Sequence, residues 1–232
     1  MKTLFTSAAL VLAMMASGAA VAADTVNASK APTIPTMSGA TSIKQLTAKQ
    51  TALVVIDIQN EYFDGKMPIP DGMKALKQSR KLVDFAHKKG MPVIFVRHEG
   101  PADGPLFAKG SHFAEFHKDL QPGKGDIVIT KATPSSFVGT DLDAQLKKLG
   151  IKDLIVTGLM THMCVSSTAR DAVPLGYQVI IPEDATATRS LATWDNSVVD
   201  SKDLQRAALA GVADVFAEIK TTQQVLDMRV IN

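Results

Sequence analysis

Apolar runs alternate along this chain with segments that are apolar on one side only. The runs are short, continuous and rich in β-branched residues, which predicts strands buried on both faces at 52–58, 92–96, 126–130, 151–156 and 178–181. Between them, apolar residues recur at helical spacing around 76–86, 142–149 and 165–173, and Gly90 and Gly150 are suited to ending two of these helices. The pattern continues with a short helix at 112–120, a helix at 201–210, a strand at 212–216 and a helix from 221.

This alternation predicts the fold class. Strands separated by helices favour an α/β fold with three layers, in which an open, mostly parallel sheet has right-handed crossovers and helices on both faces. In such a sheet, ligands bind beyond the carboxyl ends of the strands. Side chains at those ends are therefore the first candidates for chemistry.

The N-terminus has the pattern of a secretory signal peptide. Lys2 supplies a positive charge, residues 4–15 are apolar, and Ala20-Val21-Ala22 fits the small-x-small cleavage pattern. A membrane anchor is the alternative, but the apolar core is short for one and no stop-transfer charges follow it. We predict a signal peptide at 1–22, a flexible leader at 23–48 and one domain at 49–232, exported to a periplasm or outside the cell.

Composition narrows the classes of partner. A mature chain of about 210 residues makes one domain, and the formal net charge of +2 comes from interspersed acids and bases. We therefore expect no nucleic-acid binding, and no later stretch is apolar enough to span a membrane. The chain has one cysteine, so it cannot form an intramolecular disulfide, and an unpaired thiol in an oxidising compartment must be buried or used.

That cysteine, Cys164, lies where a predicted strand gives way to a helix. Gly158 ends the strand, and the apolar spacing after Val165 places Cys164 in the first helical turn. A helix N-terminus with a nearby cation can lower a thiol pKa by about two units or more, which predicts a largely ionised nucleophile. A small, inert, buried residue is the alternative.

Two charged residues lie at other strand ends. Asp57 interrupts the apolar run 53–58, where an unpaired charge is costly, and Lys131 directly follows the run 127–130. Together with Cys164 they would supply a nucleophile, a base and a charge partner. The alternative is a buried Asp–Lys ion pair beside an inert cysteine.

These residues carry a resemblance to the isochorismatase-like cysteine hydrolases, from about residue 50 to the C-terminus. The matching segments are 54–60, Lys131 with 135–137, 156–158, 161, 164–165, 168–169, 171–172, 176–177 and 184–185. The resemblance implies a six-stranded parallel sheet of Rossmann-like architecture and a catalytic triad of Asp57, Lys131 and Cys164. It also implies a cis Leu159–Met160 peptide and an oxyanion hole made by the N–H groups of Met160 and Cys164.

Further site residues are expected around this triad. Gln59, Phe63, His98, Phe137 and His162 are candidate substrate contacts, although ordinary packing or a solvent-facing position is the alternative for several of them, and Trp194 is a further candidate wall or core residue. Nicotinamidases of the family carry an Asp-x-His metal element where this chain has Arg97-His98-Glu99-Gly100, so we expect no metal and no other cofactor. The segment 99–110 is interpreted as a lid or a subunit contact.

The resulting functional hypothesis is a metal-independent hydrolase that cleaves an amide-type C–N bond of a small molecule through a thioester. Vinyl ether hydrolysis is an alternative, which export disfavours. A non-catalytic binding protein is another, which an intact triad disfavours. The resemblance further implies a homo-oligomer.

Overall fold

The structure, a computed structural model, describes residues 31–232, and the predicted signal peptide lies outside them. Residues 33–232 form one compact unit. Its helices are α1 (Ile34–Met37), α2 (Gly72–Lys89), α3 (Leu142–Lys148), α4 (Ser166–Ala172), α5 (Ser201–Ala213) and α6 (Thr222–Leu226). Its strands are β1 (Gln45–Thr47), β2 (Thr51–Ile56), β3 (Val93–His98), β4 (Ile127–Lys131), β5 (Asp153–Leu159), β6 (Gln178–Pro182), β7 (Thr186–Ala187), β8 (Leu191–Ala192), β9 (Val198–Val199), β10 (Glu218–Lys220) and β11 (Arg229–Ile231).

The predicted open parallel sheet is confirmed. Six strands run in the order β10-β6-β5-β2-β3-β4, with every neighbouring pair parallel, and the two-residue β7 pairs with the end of β5. The central strand β2 is fully buried, as its continuous apolar sequence predicts. All of the carboxyl ends therefore open on the same edge of the sheet.

Each face of the sheet is covered by its own apolar cluster. Because side chains alternate along a strand, Leu53 and Val55 of β2 pack in the cluster that includes α2 and Val225 of α6. Val54 and Ile56 point to the other face, where α3, α4 and α5 supply the partners. The result is the predicted three-layer arrangement. None of the helices within residues 31–232 is long and apolar enough to cross a bilayer.

Two glycines fix the ends of elements. Gly90 adopts the left-handed conformation at the C-cap of α2, with φ 70°, as predicted. Gly158, near the end of β5, has φ 115°, and a Cβ built on it would lie 1.9 Å from the carbonyl oxygen of Ile56. Only glycine therefore allows β5 and β2 to approach this closely, just before Asp57 and the cysteine turn.

Several predicted elements were wrong in place or extent. Residues 212–216 do not form a strand: Val212 continues α5, where it packs in the core, and the edge strand follows later as β10. The predicted helix at 112–120 is only a 3₁₀ turn at His112–Ala114. The leader is not wholly irregular either, because β1 pairs with β11 and Leu46 is fully buried, so the ordered domain begins before residue 49.

Candidate active site

Three strand ends bring Asp57, Lys131 and Cys164 together, and we call them the Asp–Lys–Cys cluster. Asp57 follows β2 directly in the left-handed conformation, with φ 49°, which aspartate tolerates better than most residues. Lys131 is the last residue of β4, and its Nζ lies 2.7 Å from Oδ2 of Asp57 and 3.4 Å from Sγ of Cys164. The side chains of Asp57 and Lys131 are both fully buried.

The ammonium group of Lys131 contacts three groups. It forms an ion pair with Asp57, donates to Sγ of Cys164 and lies 3.3 Å from Nδ1 of His98. Because an ammonium only donates, Nδ1 must accept, so the neutral His98 ring carries its proton on Nε2. Burial, then the charge of Lys131, lowers the pKa of His98, which favours this neutral form.

The protonation of the thiol differs from the sequence-based expectation. Burial and the Asp57 charge raise the pKa of the Cys164 thiol to about 12, and the Lys131 charge only partly opposes them. The prediction of a lowered pKa was wrong, because loss of hydration outweighs the nearby cation. Burial also raises the pKa of the Asp57 carboxyl, while Lys131 acts to lower it. The resting cluster thus pairs a neutral thiol with a carboxylate of increased basicity.

Cys164 lies in a π-helical turn, Thr161–Val165, and not in the first turn of an α-helix as predicted. The α-helix α4 begins two residues later, at Ser166. The Leu159–Met160 peptide that precedes the turn is cis, as the family resemblance implies. The turn therefore begins one residue beyond the end of β5.

Gln59 braces the site and does not present its amide to a ligand. Nε2 donates to the carbonyl oxygens of His98 and Ala114, both at 2.8 Å, while Oε1 accepts the N–H of His98 at 2.8 Å. Both amide hydrogens are thus used on main-chain groups, and Gln59 is fully buried. Its expected role as a substrate contact is replaced by a role in fixing the end of β3.

An aromatic wall that sequence reasoning missed lies next to His98. The ring of Phe107 is 5.1 Å from His98 and 5.2 Å, edge to face, from Tyr62. Phe107 has φ 49°, and its N–H donates to the buried carboxylate of Glu61 at 3.2 Å. Burial raises the pKa of the Tyr62 phenol, and the negative charge of Asp57 raises it further. Glu61 thereby holds the segment 99–110 against the site.

The other predicted contacts divide between the site and its surroundings. Phe63 packs on His117, with ring centroids 4.4 Å apart, whereas its neighbour Tyr62 packs on Phe107 of the aromatic wall. Phe137, in the loop after β4, stacks on Tyr177. The preceding residue, Ser136, is buried and hydrogen-bonds to Thr168 of α4. His162 lies in the cysteine turn.

Trp194 is 95% exposed at the tip of the β8–β9 hairpin, so it is neither a core residue nor part of a pocket wall. A cleft of about 630 Å³ lies between α2 and α5, and its lining includes Thr188 but not Cys164. Within residues 31–232, no three His, Cys, Asp or Glu side chains are grouped so as to hold a metal ion.

Comparison with known proteins identifies the family. The model of the Isochorismatase domain matches residues 51–224. The chain belongs to the isochorismatase family. Among curated relatives, a secreted isochorismatase effector of Verticillium dahliae is 36% identical over 179 residues, which cover 77% of this chain and 92% of that protein.

Solved structures of the isochorismatase family agree with the fold. An isochorismatase from Pseudomonas putida superposes with a TM-score of 0.77 at 35% identity, covering 83% of this chain and 97% of the other. N-carbamoylsarcosine amidase from Thermoplasma acidophilum superposes with a TM-score of 0.65 at 30% identity, covering 75% and 96%. Members of the isochorismatase family are hydrolases, and some of them are amidases.

Proposed function

We propose that this isochorismatase-family protein is a cysteine hydrolase that cleaves an amide-type C–N bond of a small molecule. The observation that carries the proposal is the buried contact of Lys131 with both the Asp57 carboxylate and the Cys164 sulfur. A buried ion pair that only neutralised its own charges would not need a contact between the lysine and a thiol. The similarity to an amidase at 30% identity supports the choice of bond.

In the proposed reaction, the Cys164 thiol attacks the amide carbon while its proton passes to Asp57. The S–C bond forms, and the carbonyl oxygen becomes an oxyanion that the N–H groups of Met160 and Cys164 stabilise. Asp57 then gives the proton to the leaving amine as the C–N bond breaks. Water cleaves the resulting thioester by the same route, with Asp57 taking a proton from water and returning it to the thiolate.

The resting protonation supports these roles. A thiol whose pKa is raised to about 12 is not a thiolate at neutral pH, so it needs a base at the moment of attack. Asp57 is in position because Nζ of Lys131 lies 2.7 Å from its carboxylate and 3.4 Å from the sulfur, and burial has raised the pKa of Asp57 toward that of a useful base. Lys131 stays charged and stabilises the anions that form beside it.

We further propose that the protein is exported as a soluble, metal-independent enzyme that takes a small-molecule substrate and assembles as a homo-oligomer. The sequence pattern at 1–22 supports export. A relative described as a secreted effector points in the same direction.

A screen against amides, ureides and lactams tests the reaction class. For any compound that is hydrolysed, acid quenching during turnover should leave one acyl group on the single cysteine, as seen in the intact mass. The same mass shift must be missing when the thiol has first been alkylated. Turnover without any acyl adduct, or with undiminished rate after alkylation, would contradict the thioester route.

The pH profile of kcat/KM tests the base. Asp57 accepts a proton only when it is ionised, so the rate should rise with pH through its pKa and fall below it. Because burial raises that pKa from 3.8, the acid limb should lie at less acidic pH than an exposed aspartate would give. His98→Gln keeps an acceptor for Lys131 and should leave the limb in place. A limb that disappears in this variant would assign it to His98.

A further inference from the structure

The β8–β9 hairpin presents the single tryptophan of the chain to solvent. Trp194 lies in the turn that joins the two strands and is 95% exposed, and Val198 of β9 is 67% exposed. Scattered apolar residues are common on protein surfaces, but tryptophan is large and is enriched among the residues that carry binding energy at interfaces. The hairpin therefore has the composition of a surface that another molecule covers.

The turn of this hairpin is fixed by its own hydrogen bonds. The N–H of Thr193 donates to the carbonyl oxygen of Ser197 at 3.0 Å, and the N–H and hydroxyl of Ser197 donate to Oδ1 of Asp195 at 3.1 and 2.8 Å. Hydrogen bonds from Thr193 and Ser197 lower the pKa of the Asp195 carboxyl to about 2, so it is ionised at neutral pH. The hairpin thus holds an indole next to a carboxylate in one preorganised arrangement.

The cleft between α2 and α5 offers apolar contact. Its volume is about 630 Å³, within the usual range of binding pockets, and its lining includes the buried side chains of Ala75, Ala187 and Leu209. An aromatic ring that entered the cleft would therefore meet apolar surface.

Positive charge outweighs negative charge around the same cleft. Its lining carries five cations and three carboxylates. Lys74 pairs with Asp71 at 2.7 Å, and Asp184 accepts two hydrogen bonds from Thr222, at 2.7 and 2.8 Å. Within residues 31–232, the four other cations form no ion pair, and all four are exposed: Lys77, Lys81, Lys202 and Arg206. The cleft is therefore complementary to an apolar group that has a carboxylate beside it.

Hydrogen bonds fix both walls of the cleft to the segment between them. The side-chain amide of Gln205, on α5, donates to the carbonyl oxygen of Glu183 at 3.3 Å and to the hydroxyl of Thr186 at 3.1 Å. The hydroxyl of Ser79, on α2, donates to the carbonyl oxygen of Ala185 at 3.3 Å. The cleft is thus formed in the single chain, which lowers the ordering cost of filling it.

The hairpin and the cleft belong to one continuous surface. Thr188 and Ser201 both line the cleft, and the hairpin is part of the segment between them. The N–H of Ser201 donates to the hydroxyl oxygen of Ser190 at 3.0 Å, which joins the two ends of that segment. A two-fold interface brings the same surface of two copies face to face, so each hairpin meets the cleft of the other copy.

We propose that two copies of this chain form a two-fold dimer in which each hairpin inserts Trp194 into the α2–α5 cleft of the other copy, with Asp195 against the exposed cations. This inference rests on the homo-oligomer of the proposed function and gives it a defined interface. The interface also reaches the surroundings of the nucleophile, because the hydroxyl of Thr188 lies 2.6 Å from Nδ1 of His162 in the cysteine turn.

The emission of the single tryptophan tests the interface in the wild-type protein. On dilution of the chain without residues 1–22, sedimentation velocity should show dimers dissociating into monomers. The indole emission should move to longer wavelength with the same midpoint, because Trp194 returns from the cleft to solvent. Added salt should move both midpoints to higher protein concentration, since it screens the attraction between Asp195 and the cations.

Substitutions on each side of the interface should weaken the dimer. Trp194→Ser should raise the dissociation constant about 30-fold or more, the loss expected for an aromatic residue at the centre of an interface. Lys77→Glu with Arg206→Glu reverses one charge on each wall of the cleft and should raise the constant by about tenfold.

Matched variants outside the interface provide the controls. Leu149→Ser removes an apolar side chain that is 40% exposed at the C-cap of α3. Lys88→Glu with Lys89→Glu makes the same change in net charge in the last turn of α2. Both should leave the dissociation constant unchanged.

Three outcomes would overturn the interface. A protein that is monomeric at every concentration would also remove the homo-oligomer from the proposed function, while hydrolysis by Cys164 would stand or fall by its own test. An oligomer with the same dissociation constant in wild type and Trp194→Ser would exclude this interface alone. Short-wavelength emission from the monomer would show that the indole occupies the cleft of its own chain.

Discussion

Replacing Cys164 with alanine is expected to slow the hydrolysis of any amide substrate by roughly 10⁴-fold or more, because no other group can form the acyl intermediate. The thermal unfolding midpoint should change little by comparison, since the cysteine side chain is small and only its sulfur is removed. The measurement is single-turnover hydrolysis together with thermal unfolding of the same samples.

Ser167→Ala is the control for this substitution. It places alanine in the following helix, α4, at a half-buried position, and should keep the activity. Cys164→Ser preserves the volume of the side chain but offers a hydroxyl, which Asp57 cannot deprotonate as readily, so it should resemble the alanine variant. Substantial turnover by either Cys164 variant would show that the covalent route is wrong.

Replacing Lys131 with methionine should be the most destabilising of these substitutions. It leaves the Asp57 carboxylate fully buried without a cation, and loss of one partner from a buried ion pair costs about 3–5 kcal/mol. Hydrolysis should also be lost. The double variant Asp57→Asn with Lys131→Met removes both charges, so it should recover much of the stability and none of the activity.

A surface pair of equal length provides the control. Lys147 and Asp143 of α3 are also 2.7 Å apart, but the side chain of Lys147 is 60% exposed. Lys147→Met should therefore change the free energy of unfolding, measured in urea, by only about 0.5 kcal/mol. Equal losses in the Lys131 and Lys147 variants would mean that burial does not strengthen the inner pair.

The stability of Lys131→Met should depend on pH with a defined sign. Burial raises the pKa of Asp57 in the folded state, and without Lys131 nothing comparable opposes that rise. The folded state then favours the protonated carboxyl more than the unfolded state does. The variant should be least destabilised at acidic pH and lose stability as pH rises through the folded pKa.

The strands that build the site were predictable because each is a continuous apolar run. β2 and β5 bury almost every residue, so the polar positions that follow them, Asp57 and Cys164, are conspicuous. Lys131 was found because it follows the apolar run of β4. β10 and β1 were missed because each has three residues and little buried surface, which leaves no periodic signal. Val212 was assigned to a strand because local β-propensity does not include the helical contact that α5 makes with the core.

The parts of the site that come from loops were not predictable. Phe107 is held by a hydrogen bond from its N–H to Glu61 and packs on His98, and neither contact leaves a pattern in the sequence. The pKa of Cys164 was predicted in the wrong direction for a related reason. The order of residues along the chain indicates that a cation and a helix lie near Cys164. The direction of its pKa shift, however, is decided by how deeply the thiol is buried, which is a property of the folded chain.

A thiol stored in its protonated form also resists oxidation. Oxidants attack the thiolate, and a pKa raised to about 12 leaves very little of it at neutral pH. The export that we propose would expose this unpaired cysteine to an oxidising compartment. If Asp57 deprotonates the thiol only during attack, Cys164 would serve as a nucleophile without being oxidised in that compartment.

The π-helical turn also sets how much length variation the chain tolerates. Successive residues of a helix are rotated by about 100°, so one inserted or deleted residue between Met160 and Ser166 would swing the sulfur to a different side of the axis. Insertions in the surface segment 99–110 or in the hairpin that carries Trp194 have no such effect on Cys164. Divergence in chain length should therefore concentrate in those two regions, while the interval from the cis peptide to α4 stays constant.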